Sequence, residues 1–327
     1  IWRPLPLTRS GTNPFTEMAS FWALIRLFRK IRPDIVHLVT AKPVIYGGIA
    51  ARLTQVPAVV AAVPGLGFVF SHSGFKARML RFLVSRLYRV ALGHPNLRAI
   101  FQNPDNARCI TRLAALRTEQ VCLIRGAGVD LAEYAFTPLP EDELPLAILP
   151  ARLLKSKGVL EFVEAARQLR ASGIRARFAL VGVPDTENPD SVENETIAAW
   201  AEEGVIESWG YREDMAGVMA QSSLVVLPSF YAEGLPKALI EAQACGRAVV
   251  TSDWPGCRDA IIPNVTGLLV PPRDASALAE AMRTLLDDRE RLRAMGKAGR
   301  ALAEEAFDVQ QVVRQHLEIY RALTARA

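Results

Sequence analysis

The stretch LVVLPSFYAEGLPKALIEAQACG, residues 224–246, contains a strand, a loop and a helix in immediate succession. The apolar run at 224–227 predicts a buried strand, and residues 236–245 predict a helix. Pro236 suits the first turn of that helix because its missing N–H is not needed there, and Gly246 suits the end. A strand followed at once by a helix is the repeating unit of parallel sheets with crossover helices.

The same alternation extends from this stretch in both directions. Further strands are predicted at 34–39, 58–62, 98–102, 121–124, 147–151, 177–181, 205–209 and 248–251. Further helices are predicted at 43–54, 74–92, 104–113, 159–172, 196–203, 214–222, 275–287, 289–306 and 309–325. This order predicts an α/β fold with doubly wound sheets, which bind ligands at the carboxyl ends of their strands.

A Pro- and acid-rich segment at 136–145 separates two such series and predicts a linker. We therefore expect a first domain of residues 1–140, joined by the C-terminal helix 309–327, and a second domain of residues 141–308. The length of 327 residues accommodates two domains of ordinary size.

Composition excludes several classes of protein. The four cysteines form no C-x-x-C pair and no His-x-x-x-His motif occurs, so neither a disulfide framework nor a zinc site is predicted. No run of eighteen apolar residues and no signal peptide is present. We therefore expect a cytoplasmic chain without a transmembrane helix.

Charge is unevenly distributed along the chain. Residues 1–130 carry a formal net charge of +13 and the remainder −8, so the first half is expected to meet an anionic partner. No nucleic-acid reader motif is recognised, so nucleic acid is not expected. The predicted helix 74–92 has Met79, Leu83 and Val90 on one side and arginines on the other. It either packs in the core with a solvated basic face or lies on anionic lipid.

Two short motifs carry the chemistry. In ARLLKSKG, residues 151–158, Arg152 and Lys157 would lie near a helix N-terminus, which favours phosphate; alternatively they are two surface cations. Glu233 and Glu241 stand seven residues apart, the first in a loop and the second inside the following helix. Their carboxylates can accept hydrogen bonds from sugar or ribose hydroxyls. Alternatively, Glu233 is a loop acid that the helix dipole favours, and Glu241 forms an ion pair with the lysine four residues before it.

The order of these motifs resembles the C-terminal domain of glycosyltransferase family 4, over residues 147–306. The resemblance rests on Arg-x4-Lys-Gly at 152–158, Glu-x7-Glu at 233–241, DWPGCRDAI at 253–261 and NVTGLLVPPRD at 264–274. The first half is similar through RPDIVHLVTAKP (32–43), VPGLGFVF (63–70), QN (102–103) and GAGVDLAEY (126–134). The branch it resembles most extends sugars on lipid-diphosphate carriers in surface-polysaccharide assembly.

The resemblance implies a GT-B fold of two facing Rossmann-like domains and transfer of a sugar with retention of anomeric configuration, without a required metal or cofactor. The donor would be a nucleotide-sugar, by family habit a UDP-sugar, and the acceptor a lipid-diphosphate-linked saccharide at an anionic membrane surface. Attachment would be peripheral, at the inner face of the plasma membrane.

The resemblance also implies roles for individual residues. Arg152 and Lys157 would neutralise the donor diphosphate, and Glu241 would bind the ribose. Glu233 would lie beside the transferred sugar.

Four further positions receive implied roles. The N–H groups of Gly234 and Leu235 would hold the diphosphate or the sugar. Gly65 and Gly67 would lie on the acceptor side.

Two departures from the family pattern limit these implications. The N-terminal strand and Gly-rich loop of the family do not precede Ile1, so an N-terminally truncated chain with an incomplete first domain is expected. A histidine that many relatives carry is replaced within VPGLGF, residues 63–68, and His37 and His72 are expected to be structural or solvated. Other GT-B reactions, such as epimerisation or phosphorolysis, and a non-catalytic nucleotide- or membrane-binding role remain alternatives.

Overall fold

The computed structural model describes residues 5, 14–65, 75–141 and 144–325, with the side chains of Pro14 and residues 75–77 left aside. Its first part contains α1 (Pro14–Ile31), β1 (Ile35–Val39), α2 (Ala41–Leu53), β2 (Ala58–Val63), α3 (Phe75–Ala91), β3 (Leu97–Phe101), α4 (Pro104–Ala114) and β4 (Val121–Leu123). The second part contains β5 (Leu146–Pro150), α5 (Val159–Ala171), β6 (Arg177–Val181), α6 (Asn194–Glu202), β7 (Glu207–Gly210), α7 (Met215–Gln221), β8 (Leu224–Leu227), α8 (Lys237–Ala244), β9 (Ala248–Ser252), β10 (Gly267–Val270), α9 (Ala275–Leu286), α10 (Arg289–Ala306) and α11 (Val309–Thr324).

The chain divides into two compact units. The first contains the residues up to Arg125, Ala232–Gly234 and the chain from Val313 onward, and the second contains Gly126–Tyr231 and Leu235–Val312. Three residues of the loop after β8 thus belong to the first unit, although the residues on either side belong to the second.

The first unit has a parallel sheet in the order β1-β2-β3-β4 within the described ranges. Its core is built from the β-branched and alanine side chains of β2, which is buried along nearly its whole length, and from α2. Helices α1 and α3 both pack beside α2. A strand buried on both faces is typical of a parallel sheet covered by helices.

The second unit has a parallel sheet in the order β10-β9-β8-β5-β6-β7. Alternate side chains of the strands face two separate cores, one shared with α5 and α9 and the other with α7, α8 and α10. From the centre, β5 leads outward through β6 to β7, and β8 leads the opposite way through β9 to β10. This is the strand order of a dinucleotide-binding doubly wound sheet, and it places a topological switch point between β5 and β8.

The described residues of the segment 136–145, for which the sequence predicts a linker, belong to the second unit. Arg247 is fully buried and donates to Thr137 O at 2.8 Å, to Thr137 Oγ1 at 2.6 Å and to Met219 O at 2.9 Å. Burial lowers the pKa of Arg247 to about 10. The buried guanidinium donates its hydrogen bonds to protein oxygens instead of water, and these bonds fix the segment that contains Thr137 against the end of α7.

Two elements were not predicted from the sequence, α1 and β10. The strand β10 is only four residues long and pairs with β9 at the sheet edge. Such a short apolar run has no periodicity of its own, so its strand character depends on its neighbour. In the described ranges, no helix is both long enough and apolar enough to cross a bilayer.

Candidate functional site

The centre of the six-stranded sheet brings two of the predicted motifs together. β5 and β8 pair in parallel, so their carboxyl ends lie at the same edge of the sheet. The turn after β5 carries Arg152 and Lys157, and the loop after β8 begins at Pro228. Ligands of doubly wound sheets bind at this switch point, outside the carboxyl ends of the strands.

The turn after β5 closes tightly before α5. Residues Lys155–Lys157 form a single 3-10 turn that ends at Gly158, whose φ is +80°. A Cβ atom at Gly158 would lie 2.5 Å from the carbonyl oxygen of Pro228. Glycine is therefore required both for the left-handed backbone and for the close approach of the two loops.

A small hydrogen-bond network joins these two loops. The N–H of Phe230 donates to Ser156 O at 2.9 Å, and the hydroxyl of Ser229 donates to the same oxygen at 3.3 Å. The N–H of Ser156 in turn donates to the Asp190 carboxylate at 2.9 Å. The Asp190 carboxylate therefore fixes the backbone that carries Lys157.

Arg152 forms an ion pair that the sequence did not indicate. Its Nη1 lies 2.6 Å from Asp185 Oδ2, and the two side chains are 39% and 16% exposed. Asp185 follows β6, which is the strand next to β5. This position after a neighbouring strand is the only feature of the sequence that could have indicated the ion pair. Arg152 is therefore oriented by a carboxylate while part of its side chain still reaches solvent.

Lys157 is not a solvated surface cation, since only 8% of the residue is exposed. Its Nζ lies 5.4 Å from the centroid of the Tyr231 ring, within the range of a cation–π interaction. Tyr231 belongs to the loop after β8. The fold thus places a largely buried ammonium group between the two loops of the switch point.

Glu241 lies in the second turn of α8, as predicted, and is 6% exposed. Its Oε1 lies 3.0 Å from Nζ of Lys237, whose side chain is 62% exposed, so the ion pair that the sequence left as an alternative is present. Burial, the Glu241 charge and a hydrogen bond with Glu241 raise the pKa of Tyr134. Glu241 therefore places a buried carboxylate next to Lys237 and Tyr134.

The Glu233 loop packs within the first unit. Gly234 is buried, and a Cβ atom there would lie 1.9 Å from Pro64 O and 2.0 Å from Gln102 Oε1. A Cβ atom at Gly65 would lie 2.8 Å from the carbonyl oxygen of Ala232. Gly65 and Gly234, which the sequence treats as separate sites, therefore lie against each other, whereas Gly67 falls outside the described residues.

Two buried asparagines of the first unit hold this loop, and sequence reasoning missed both roles. The Nδ2 of Asn103 donates to Gly234 O at 2.8 Å and to Glu233 O at 3.3 Å. The Nδ2 of Asn106 also donates to Glu233 O at 3.3 Å. Asn103 belongs to the pair QN at 102–103, one of the segments through which the first half resembles the family.

Leu235 is a core residue of the second unit. It is 7% exposed and packs with Leu239 and Ile240 in the core beneath α8. A Cβ atom at Gly126 would lie 2.9 Å from Leu235 Cδ2. Its side chain therefore anchors the end of the loop at the start of α8.

His37, which the sequence predicts to be structural or solvated, contacts the C-terminal helix α11. Its Nδ1 lies 2.7 Å from the Tyr320 hydroxyl, and its ring centroid lies 5.7 Å from that of His316. Burial and the charge of His316 lower the pKa of His37. These groups attach α11 to β1 inside the first unit. Within residues 14–65, 75–141 and 144–325, no cluster of three or more His, Cys, Asp or Glu suited to a metal ion is found.

Comparison with known sequences identifies both halves of the chain. The family described as "Glycosyl transferases group 1" matches residues 132–302, and the family described as "Glycosyl transferase 4-like" matches residues 3–94. Together with the site at the switch point, these matches assign the chain to the family that its motifs resemble.

Individual relatives agree with this assignment. The chain is 31% identical over 325 residues to the N,N'-diacetylbacillosaminyl-diphospho-undecaprenol alpha-1,3-N-acetylgalactosaminyltransferase of Campylobacter jejuni, covering 96% of this chain and 83% of the relative. It is 26% identical over 330 residues to the UDP-Gal:alpha-D-GlcNAc-diphosphoundecaprenol alpha-1,3-galactosyltransferase of Escherichia coli, covering 93% and 79%.

Solved structures share the architecture. HepE of Anabaena, crystallised with UDP and glucose, superposes with a TM-score of 0.77 at 20% identity, over 96% of this chain and 84% of that one. This likeness confirms the fold predicted from the alternating strands and helices. The chain therefore belongs to the glycosyl transferases of group 1, and it is a glycosyltransferase with the GT-B fold.

Proposed function

We propose that this glycosyltransferase moves a hexose or N-acetylhexosamine from a nucleotide-sugar to a lipid-diphosphate-linked saccharide during cell-surface polysaccharide synthesis. The observation that carries the proposal is the pair Arg152 and Lys157 at the switch point of the second sheet, where ligands of such sheets bind. The relatives from C. jejuni and E. coli are both named for diphospho-undecaprenol-linked substrates. The E. coli relative is named for a UDP-sugar donor, so UDP is the proposed nucleotide.

The proposed donor site has two cationic side chains at the diphosphate and a carboxylate at the ribose. Arg152 and Lys157 neutralise the diphosphate, the first with a planar fork of donors and the second as a point charge. Glu241 accepts hydrogen bonds from the ribose hydroxyls, because an ionised carboxylate is an acceptor only. The burial of Lys157 and Glu241 strengthens both interactions by excluding water.

The proposed chemistry is a front-face transfer with retention of configuration. The bond between the anomeric carbon and the donor phosphate oxygen breaks, and the acceptor oxygen forms the new bond on the same face. The departing phosphate oxygen accepts the proton of the acceptor hydroxyl. Glu233 and the N–H groups of Gly234 and Leu235 lie beside the transferred sugar.

The largest protein contribution would be electrostatic stabilisation of the leaving diphosphate. Loss of one preorganised donor in comparable sites costs about 2.7–4 kcal/mol, or roughly 100- to 1,000-fold in rate. Because two side-chain cations supply this charge, we propose that transfer needs no divalent cation. Retention of full activity in excess EDTA is the expected result, and complete loss that added Mg²⁺ restores would contradict it.

Calorimetric titration with UDP and GDP tests the donor site. We expect saturable binding of UDP by the wild-type chain and its loss in Lys157→Ala and in Glu241→Ala. A transfer assay with a radiolabelled UDP-sugar and an undecaprenol-diphosphate-linked saccharide then tests the reaction. Turnover of the donor without a glycosylated product would favour epimerisation or hydrolysis, and absence of nucleotide binding by a folded chain would sink the donor site.

We further propose that the acceptor is met at an anionic membrane surface through α3. On this helix Met79, Phe82 and Leu83 are 62%, 64% and 55% exposed, so its apolar side is not packed in the core. The core side is formed instead by Tyr88 and Ala91, which are 1% and 0% exposed. The helix has no acidic residue, and its exposed arginines are Arg78, Arg86 and Arg89.

An exposed apolar stripe flanked by cations matches an interfacial helix. Helix α1, which also packs against α2, adds Met18 and Trp22. These two side chains are 56% and 49% exposed. Each arginine near an anionic surface contributes about 1 kcal/mol. This surface supports a peripheral position at the inner face of the plasma membrane.

Vesicle flotation tests this contact. The wild-type chain is expected to float with phosphatidylglycerol-containing vesicles, and weakly with pure phosphatidylcholine. The double variant Phe82→Ser, Leu83→Ser should bind at least about tenfold more weakly, because two apolar side chains no longer enter the interface. Leu160→Ser in α5 is the matched control, since Leu160 is an exposed leucine of the second unit. Equal flotation of the double variant and the control would rule out α3.

A further inference from the structure

We propose that Asn103 is a positioning residue for transfer, because it aims the backbone of the Glu233–Gly234 loop. This inference rests on the proposed function, in which that loop lies beside the transferred sugar. Asn103 is fully buried, follows β3 and stands at the N-cap of α4. Nothing in its position at a strand end would by itself require an amide side chain.

The two ends of the Asn103 amide serve different partners. Its Oδ1 accepts from the N–H of Asn106 at 2.8 Å and so caps α4. Its Nδ2 donates to Gly234 O at 2.8 Å and to Glu233 O at 3.3 Å. Ser, Thr or Asp would cap the helix equally well, but they lack the two-proton donor. The asparagine is therefore explained by the loop and not by the helix.

Holding the two carbonyl groups also orients the two N–H groups of the loop. In a planar trans peptide the C=O and the following N–H point in opposite directions. Fixing Glu233 O and Gly234 O toward Asn103 therefore aims the N–H groups of Gly234 and Leu235 away from it. In the proposed function, these two N–H groups lie beside the transferred sugar of the donor.

The surroundings leave the loop little freedom to adopt another orientation. Asn106, which is 4% exposed, donates a second amide hydrogen bond to Glu233 O at 3.3 Å. The packing of Gly234 against Pro64 and Gln102 admits no side chain. Donors that act on developing charge must be held in place before the reaction, so a loosened loop lowers the rate of the chemical step.

The test compares Asn103→Ser with Asn96→Ser. Serine at 103 keeps a good helix cap and removes only the amide donor. Asn96 is the matched control, because its Nδ2 also bridges two backbone carbonyls of the first unit, Pro57 O and Leu323 O, both at 3.1 Å. We expect kcat of Asn103→Ser to fall about 10- to 100-fold, with the UDP dissociation constant changed less than about threefold. The control should retain kcat within about twofold of wild type.

A pH profile separates positioning from stability. In Asn103→Asp, only a protonated carboxyl can donate to Gly234 O. Its kcat relative to wild type should therefore rise as the pH is lowered, which a merely structural role would not produce. A ratio that is constant with pH, or a loss of kcat equal to that of Asn96→Ser, overturns the inference.

Hydrogen exchange makes the result independent of turnover. Peptides that cover residues 229–236 should exchange faster in Asn103→Ser than in wild type or Asn96→Ser. If the wild-type chain transfers no sugar, the proposed function fails while the exchange data still decide whether Asn103 holds the loop. If the wild type is active and Asn103→Ser matches it in kcat, the inference fails and the proposed function stands.

Discussion

Replacement of Glu241 by glutamine distinguishes a ribose ligand from a structural ion pair. Glu241 is 6% exposed, and its Oε1 lies 3.0 Å from Nζ of Lys237, which is mostly exposed. Glu241→Gln preserves shape and removes the charge. Lys237→Met removes the partner and leaves the carboxylate, so the two variants separate the two roles.

The two roles of Glu241 predict effects of different size on the binding of UDP. An i, i+4 ion pair with one exposed partner contributes about 0.3–0.5 kcal/mol. A hydrogen bond to a charged acceptor contributes about 1.5–3 kcal/mol, equivalent to a change of about 10- to 150-fold in the dissociation constant of UDP. Glu241→Gln should therefore weaken UDP binding about 10- to 150-fold, whereas Lys237→Met should change it less than about threefold.

Isothermal titration of UDP into the wild type and both variants, at one pH and one ionic strength, measures this difference. Thermal unfolding of the same samples checks that each variant is folded. The reasoning is refuted if Glu241→Gln binds UDP as tightly as the wild type and both variants lose the same small stability. Glu241 would then be only the partner of Lys237.

Three further predictions concern the glycine, arginine and histidine sites of the fold. Gly234→Ala should abolish measurable transfer, because its Cβ would lie 1.9 Å from a carbonyl oxygen. Gly204→Ala, whose φ of +73° also strains an L residue but whose Cβ would meet no atom within 4 Å, should lower the melting temperature and yet change kcat less than about twofold. Arg247→Met should lower the free energy of unfolding by more than about 3 kcal/mol in urea titrations, because several buried carbonyl groups lose their donor; a loss below 1 kcal/mol would contradict this role. The pKa of His37 is lowered from 6.5 by burial and by His316, so its contribution to stability is present above pH 6.5 and is lost as the pH falls. His316→Gln should reduce the acid-side decrease of the melting temperature, and an unchanged pH profile would show that the pair does not couple.

Much of the architecture follows from patterns that are local in sequence. The bounds predicted for β6, β8 and α10 are those observed, at Arg177–Val181, Leu224–Leu227 and Arg289–Ala306. Each has an uninterrupted apolar run or a sustained helical period between clear stop signals, which a single window of sequence reveals. β10 has neither and was missed.

The candidate site was predicted in part. The positions of Arg152 and Lys157 after a strand, and of Glu241 in a helix, follow from motif spacing. The ion pair of Arg152 with Asp185 joins residues 33 positions apart, and no local pattern indicates it. The asparagine bridge from Asn103 to the Glu233 loop spans more than a hundred residues and depends on the first unit alone.

The sequence by itself determined the alternation of strands and helices, the family and the residue types of the donor motifs, because these depend on short-range periodicity and spacing. Only the tertiary structure decided which side chains are buried. It turned the apolar side of α3 outward at Met79 and Leu83, and it enclosed Lys157 and Arg247. Burial depends on what other elements cover a surface, and that contact between distant segments is not encoded in any one window of the chain.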